Sequence, residues 1–331
     1  MLFAKVAGGA RLMRRRQFLT FTLAAAFAAG LFAVLPVRAD APKEFRIGYQ
    51  KNGVLLVAKE QKLIEKRLQP LGISVRWIEF SSGPPLLEAL NSGNIDYGAT
   101  GDAPPIFAQA ARANLLYVAA MPAGGSAAAI LVKSGSSIHS LGDLKGKKVG
   151  FAQASSAHNV TVAALEKAGL SYSEITPVYL QPADAAAAFA RGALDAWSIW
   201  DPYFAIAERQ PGTQVLALAG DIVTQNSYFL ANRDFTAKFP EIVGAVNDEL
   251  LRATAWTNDH RDEAAKLFAD ATGIDLPIMN TVVARSTFVF APLSDQVVAE
   301  QQSIADRFKE LGLIPATVSV RDITWKWVPN S

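Results

Sequence analysis

The chain has 331 residues, half of them hydrophobic and 19% charged, with no cysteine. That length allows two packed cores of ordinary size, the low charge without long like-charge runs excludes extended disorder, and the missing cysteine excludes a disulfide framework, a thiolate metal site, a cysteine nucleophile and a lipid-modified N-terminal cysteine. The net charge of +2 hides an asymmetry: residues 1–39 hold six cations (Lys5, Arg11, Arg14, Arg15, Arg16, Arg38) and no acid, so the remainder carries 26 basic against 30 acidic residues, a net of −4, and no basic stripe that would serve nucleic acid.

The first predicted element is an export signal over residues 1–39. It has a basic stretch, an uncharged run from Gln17 to Val37, and small residues Val37 and Ala39 at the −3 and −1 positions of a cut, so the mature chain is expected to begin at Asp40. The run Arg14-Arg15-Arg16-Gln17-Phe18-Leu19-Thr20 resembles the twin-arginine motif, but Arg14 stands where Ser or Thr is usual and Thr20 where Lys is frequent; the twin-arginine and general secretory routes both stay open. An uncut anchor is the alternative, since roughly 20 uncharged residues can span a bilayer. Pro36, the Val-Arg-Ala end and a run rich in Ala rather than Leu favour cutting.

From Glu44 the pattern predicts a strand over Phe45 to Tyr49, a helix from about Val54 to Leu68, a strand over Ser74 to Phe80, a helix from about Pro84 to Asn91 stopped by Gly93, and a short strand at Ile95 to Ala99. About a hundred residues on the order returns: strand Lys148 to Ala152, helix Asn159 to Ala168, strand Thr176 to Leu180, helix Ala183 to Arg191, and a third short strand. Ala89-Leu90-Asn91-Ser92-Gly93-Asn94-Ile95-Asp96 aligns with Ala188-Phe189-Ala190-Arg191-Gly192-Ala193-Leu194-Asp195, and six residues beyond each Asp lies another, Asp102 and Asp201. A fixed offset of this kind predicts an internal repeat of two α/β lobes.

Between the copies, Met121-Pro122-Ala123-Gly124-Gly125-Ser126 is a candidate hinge ahead of a strand over Ala128 to Val132. A second crossing is expected near Gly220 to Ser227, before the strand-like Tyr228 to Ala231. One lobe then comprises 44–126 with about 228–331, and the other 127–227. The last hundred residues are helical by pattern, with Ile242, Val246 and Leu250 on one face and Ile304, Phe308 and Leu311 on another.

In parallel α/β sheets ligands bind beyond the carboxyl ends of the strands, which points to loops containing Gln50, Ser82, Gly83, Thr100, Gly101, Ser155, Ser156, His158, Asn159, Trp200 and Asp201. These loops are rich in hydroxyl, amide and Gly residues and poor in Lys and Arg, which suits an anion held by neutral donors and helix N-termini. Helix capping competes for Ser155, Ser156 and Asn159 and is the better account of Asp102. Trp200 is a cleft wall or a core residue, and Trp197 is expected in the core.

The stretches Arg46-Ile47-Gly48-Tyr49-Gln50-Lys51, Thr100 to Ala110, Ser155-Ser156-Ala157-His158-Asn159, Pro182-Ala183-Asp184 and Asp195 to Tyr203 resemble those of periplasmic binding proteins for aliphatic sulfonates, within the sulfonate, nitrate and taurine group of ABC importers. The resemblance covers nearly all of residues 44–327. It implies a two-lobed type II periplasmic-binding-protein fold, each lobe an open mixed sheet flanked by helices with the ligand cleft between them. It also implies a small organic anion, an alkanesulfonate, as ligand, an ABC permease at the inner membrane as partner, a monomer in the periplasm, and no catalysis, cofactor, metal or nucleic acid. Where the family usually has three serines before His-Asn, this chain has Ser155-Ser156-Ala157. Rival readings are a binding protein for taurine, nitrate or a thiamine-precursor pyrimidine, and an enzyme using His158 as base, Ser155 or Ser156 as nucleophile and Asp102 or Asp201 as orienter.

Overall fold

The computed structural model describes residues 41–122 and 127–329; the export signal expected over 1–39 and most of the hinge expected at Met121–Ser126 lie outside those residues. Strand β1 (Glu44–Tyr49) leads through helices α1 (Val54–Glu60) and α2 (Leu63–Leu68) to β2 (Ser74–Glu79), and α3 (Gly83–Asn91) leads to β3 (Tyr97–Gly101), α4 (Ala103–Ala110) and β4 (Leu115–Met121). The second copy opens with β5 (Ala128–Lys133) and repeats the order as β6 (Lys148–Phe151), α5 (Ser156–Lys167), β7 (Thr176–Tyr179), α6 (Pro182–Ala190), β8 (Ala196–Trp200), α7 (Tyr203–Glu208) and β9 (Thr213–Leu218). Strand β10 (Ser227–Asn232) follows, then α8 (Arg233–Lys238), α9 (Pro240–Asp259), α10 (Arg261–Thr272), α11 (Leu276–Arg285) and α12 (Asp295–Glu310).

Two five-stranded mixed sheets result, ordered β2-β1-β3-β10-β4 and β7-β6-β8-β5-β9. In each, three adjacent strands run parallel, and the fourth, β10 or β5, is antiparallel to both neighbours. Each sheet is thus completed by the strand that follows a passage of the chain between sheets. Apolar clusters cover both faces of both sheets, the arrangement that open parallel-rich sheets require.

The repeated Gly-x-x-Asp segment folds the same way in both copies. Gly93 and Gly192, at φ 69° and 76°, follow α3 and α6 in the left-handed conformation that ends a helix. Two residues on, Ile95 and Leu194 press onto a strand glycine: a Cβ on Gly48 would lie 2.6 Å from Ile95 Cδ1, and one on Gly150 2.3 Å from Leu194 Cδ1. Asp96 then accepts the Arg46 amide at 2.8 Å, and Asp195 the Lys148 amide at 2.7 Å. Because Ile95 and Asp96 anchor the turn, β3 begins at Tyr97, two residues later than the sequence predicts.

Other departures are local. The predicted helix 54–68 is broken, with Lys62 at φ 55° between α1 and α2; both segments pack on α9. Helix α5 starts at Ser156, three residues earlier than expected. Ile242, Val246, Leu250, Ile304 and Phe308 are buried, but Leu311 is 38% exposed, because α12 ends at Glu310 and Leu311 lies beyond its last turn. Among the described residues no helix is long and apolar enough to cross a membrane.

Candidate functional site

A cavity of about 230 Å³ lies between the two sheets, walled by the loops at the carboxyl ends of their strands. Of the residues expected there, Gln50, Gly83, Thr100, Gly101, Ser155, Ser156, Trp200 and Asp201 line it, whereas Ser82, His158 and Asn159 do not. The lining contains no Lys or Arg among the described residues.

Three helices of eight residues or more begin at this cavity or directly behind it, and they differ in what they offer. The first turns of α3 and α4 contain Pro84-Pro85 and Pro104-Pro105, so two of the amides that an N-terminus would present are missing in each. In α4 the remaining Ala103 amide is taken by the Asp102 carboxylate at 2.7 Å. Helix α5 begins Ser156-Ala157 and keeps both amides, which have no partner within the helix. Its N-cap residue Ser155 makes no capping bond; its hydroxyl donates to the Ala152 carbonyl at 2.7 Å instead. Of these three helices α5 alone therefore keeps both of its first amides at the cavity, a ready anion site.

The two sheets meet at the same place. A Cβ on Gly101, at the end of β3, would lie 1.9 Å from Ser156 Oγ, so the absence of a side chain there lets α5 approach. Asp102, wholly buried, accepts Asn159 Nδ2 at 2.7 Å across the interface, and Asn159 Oδ1 accepts from Arg307 on α12 at 3.2 Å. Arg307 also pairs with Glu166 at 2.9 Å. Further bonds join the sheets at the rim: Asn52 Nδ2 donates to the Asp201 carbonyl at 2.7 Å, and Ser82 Oγ to Gln181 Oε1 at 2.9 Å. Ser82 and Asn159 thus sit in the contact between the sheets.

His158 is 1% exposed and stacks on Phe151 of its own sheet and on Phe107 of α4. Its Nδ1 accepts the Ala154 amide at 3.2 Å, which at neutral charge puts the ring proton on Nε2; Nε2 has no hydrogen-bond partner among the described residues. Burial pushes its pKa down to about 4. Ala154 itself is held at φ 60°, a conformation unfavourable for a residue with a Cβ, and the His158 contact fastens that loop. The nucleophile and base pairing considered from the sequence is not formed, since Ser155 donates to Ala152 and His158 accepts from Ala154.

The NMT1-like family model matches residues 39–272. An aliphatic sulfonates-binding protein of Escherichia coli strain K12 is 41% identical over 313 residues, covering 94% of this chain and 97% of that protein. The chain belongs to the NMT1-like family. Its fold agrees with the crystal structure of the periplasmic aliphatic sulphonate binding protein SsuA from Escherichia coli, at a TM-score of 0.77, 41% identity and coverage of 86% of this chain and 98% of that one. It agrees likewise with the alkanesulfonate-binding protein SsuA from Xanthomonas axonopodis pv. citri bound to MOPS, at a TM-score of 0.81, 40% identity and the same coverage.

In this NMT1-like chain Asn52, from the same loop as Gln50, adds an amide, and the rest of the cavity comes from residues that the sequence did not assign to the site: Gln225 and Asn226 add further amides, and Val54, Leu55, Phe229, Phe268, Val282 and Phe288 form an apolar end. Gln225 and Asn226 belong to the polar run Thr224-Gln225-Asn226-Ser227, whose composition was a usable signal; the apolar residues read as ordinary core. Trp200, the last residue of β8, is half-buried and lines the wall, while Trp197 is buried in the core.

Two buried carboxylates flank the cavity. Burial pushes Asp102 up to about 6, against hydrogen bonds from Asn159 and Ala103. Asp201 is pushed up to about 7 by burial, against the pull of Arg285 at 3.6 Å; its Oδ1 accepts the Ala205 amide at 3.0 Å. A carboxylate raised in the folded state disfavours folding above its folded pKa, and the penalty is relieved as pH falls through that value. Asp201→Asn is therefore expected to raise the thermal midpoint relative to the native protein more at pH 8 than at pH 6, with other titrating groups cancelling in the difference. An equal difference at both pH values contradicts this.

Proposed function

We propose that this protein captures an aliphatic sulfonate in the periplasm and presents it to the permease of an ABC importer for sulfur acquisition, acting as a monomer and performing no chemistry on its ligand. The observation that carries the proposal is the open N-terminus of α5 in a cavity whose described lining has no Lys or Arg, in a chain 41% identical to an aliphatic sulfonates-binding protein along nearly its whole length. A sulfonate is ionised throughout the biological pH range and carries three acceptor oxygens. The amides of Ser156 and Ala157, the hydroxyls of Ser155 and Thr100, and the side-chain amides of Gln50 and Gln225 supply neutral donors, with the helix dipole adding partial positive charge. The Ser155 and Thr100 hydroxyls now donate to the Ala152 and Gly101 carbonyls and would turn to the ligand.

Neutral donors leave no fixed cation buried in the empty site, which favours release. The apolar end takes a short alkyl chain. Opening would part the Asn52–Asp201, Ser82–Gln181 and Asp102–Asn159 bonds, about passages of the chain near Met121–Ser126 and Gly220–Ser227.

Calorimetric titration with ethanesulfonate, taurine, nitrate and sulfate tests the reading: heat is expected with ethanesulfonate, and no heat with any sulfonate would overturn it. Ser155→Ala with Ser156→Ala is expected to weaken ethanesulfonate binding by about 1–3 kcal/mol, as the loss of neutral hydrogen bonds would. An unchanged affinity would place the ligand elsewhere.

A further inference from the structure

Helix α11 touches both the cavity and the second sheet. Val282 and Ser286 line the main cavity, while Arg285 reaches α7. Its Nε lies 3.6 Å from Asp201 Oδ2, its Nη2 pairs with Glu208 Oε1, and its guanidinium sits 4.3 Å from the centre of the Phe204 ring. The grip is returned from the other side. Arg209, just past α7, donates to the Pro277 carbonyl at 2.8 Å and to Thr281 Oγ1 at 3.1 Å. Ala205 of α7 is buried in the apolar cluster that α11 shares with β1 and α1. Each helix is also tied to its own sheet. Arg261 of α10 donates to the carbonyls of Val283 and Ser286 at 2.7 and 3.2 Å, and Phe204 and Ala207 pack in a cluster with β5 and β8.

We infer that Arg285 is a positioning residue for ligand retention: by clamping α11 to α7 it holds the sheets together over a bound sulfonate and sets how long the ligand stays. The inference rests on the sulfonate reading above. Arg285, Glu208 and Arg209 line neither the main cavity nor the smaller one beside it, so they act on a ligand through the placement of the two sheets. A planar guanidinium fork suits two carboxylates at once. The side chains of Arg285, Asp201 and Glu208 are 15%, 2% and 25% exposed, so salt screens the cluster less than it would an open surface pair. A contact made only when the sheets are together shifts the closed population by its own contribution. It therefore slows escape of the ligand and leaves its capture by the open form unchanged.

Stopped-flow measurement of tryptophan fluorescence, to which Trp200 in the cavity wall contributes, reads ethanesulfonate association and dissociation separately. Arg285→Met is expected to speed dissociation by about tenfold or more, and the pair Glu208→Ala with Arg209→Ala, which leaves Arg285 and Asp201 in place, by about fivefold or more, with association within about twofold of native in both. Arg285→Lys keeps the charge without the fork and should fall between Arg285→Met and the native protein. If Arg285→Met does not fold, the Glu208→Ala, Arg209→Ala protein decides. Dissociation from that protein within about twofold of native, even with a lowered thermal midpoint, would make the seam a static packing contact and overturn the clamp. Absence of ethanesulfonate binding to the native protein would instead overturn the sulfonate reading, and the retention role with it.

Discussion

Gly101→Ala is expected to weaken ethanesulfonate binding by about tenfold or more, near 1.4 kcal/mol, while the thermal midpoint of the unliganded protein moves by only a few degrees. The added Cβ would sit 1.9 Å from Ser156 Oγ and 3.1 Å from Ser156 Cβ. Turning the hydroxyl away relieves the first contact at the loss of its interaction with Asp102; the second stays tight. Gly101 ends β3 of one sheet and Ser156 begins α5, which packs on the other, so the clash exists only when the sheets are together and acts on closure more than on folding. Adding Ser156→Gly removes the obstructing atoms and should recover part of the affinity. A Gly101→Ala protein with native affinity would mean that this contact is not part of the ligand-bound state.

The second large effect lies one residue on. Asp102 accepts from Ala103 and Asn159, and Asn159 in turn accepts from Arg307. In Asp102→Asn the new side chain can keep the Ala103 amide only by turning its own NH2 towards the NH2 of Asn159. Flipping Asn159 would relieve that contact but press its NH2 against the Arg307 guanidinium. Either arrangement leaves a buried donor unpaired, so urea unfolding should show a loss of about 1–3 kcal/mol. Asn159→Asp alone brings two carboxylates together and should cost a similar amount. The double exchange, Asp102→Asn with Asn159→Asp, restores a donor facing an acceptor and keeps a partner for Arg307. Its stability should exceed the sum of the singles by at least about 1 kcal/mol; additivity would deny the network.

The sheets were largely legible in the sequence because the signals for them are local. Alternation in Phe45 to Tyr49, the helix stop at Gly93 and the matching stop at Gly192 each act within a few residues, and the offset between copies linked them into two units. The cavity loops followed from the position of strand ends and from polar composition. What stayed hidden depends on helical phase and on distant pairing. Ser155-Ser156-Ala157-His158-Asn159 looks like one polar cluster, yet α5 starts at Ser156, so His158 and Asn159 lie roughly 200° and 300° further round the helix and face the interface and its aromatic cluster. The need for a glycine at 101 is set by Ser156, 55 positions away. Gln225 and Asn226 reach the cavity because β10 inserts between β3 and β4, a pairing no local pattern announces. Arg307 belongs to a helix that periodicity assigned only a core-facing role, and Arg285 to one for which no face was singled out.

The central claim is that an anionic head group is held between the sheets at the N-terminus of α5, which keeps the amides that α3 and α4 lack. A crystal structure of the complex with ethanesulfonate tests it most directly. Sulfonate oxygens are expected about 2.7–3.2 Å from the amide nitrogens of Ser156 and Ala157, with the ethyl group towards Phe229 and Phe288. A sulfonate bound at the N-terminus of α3 or α4, or outside the cavity, with the Ser156 and Ala157 amides out of its reach, would contradict the account.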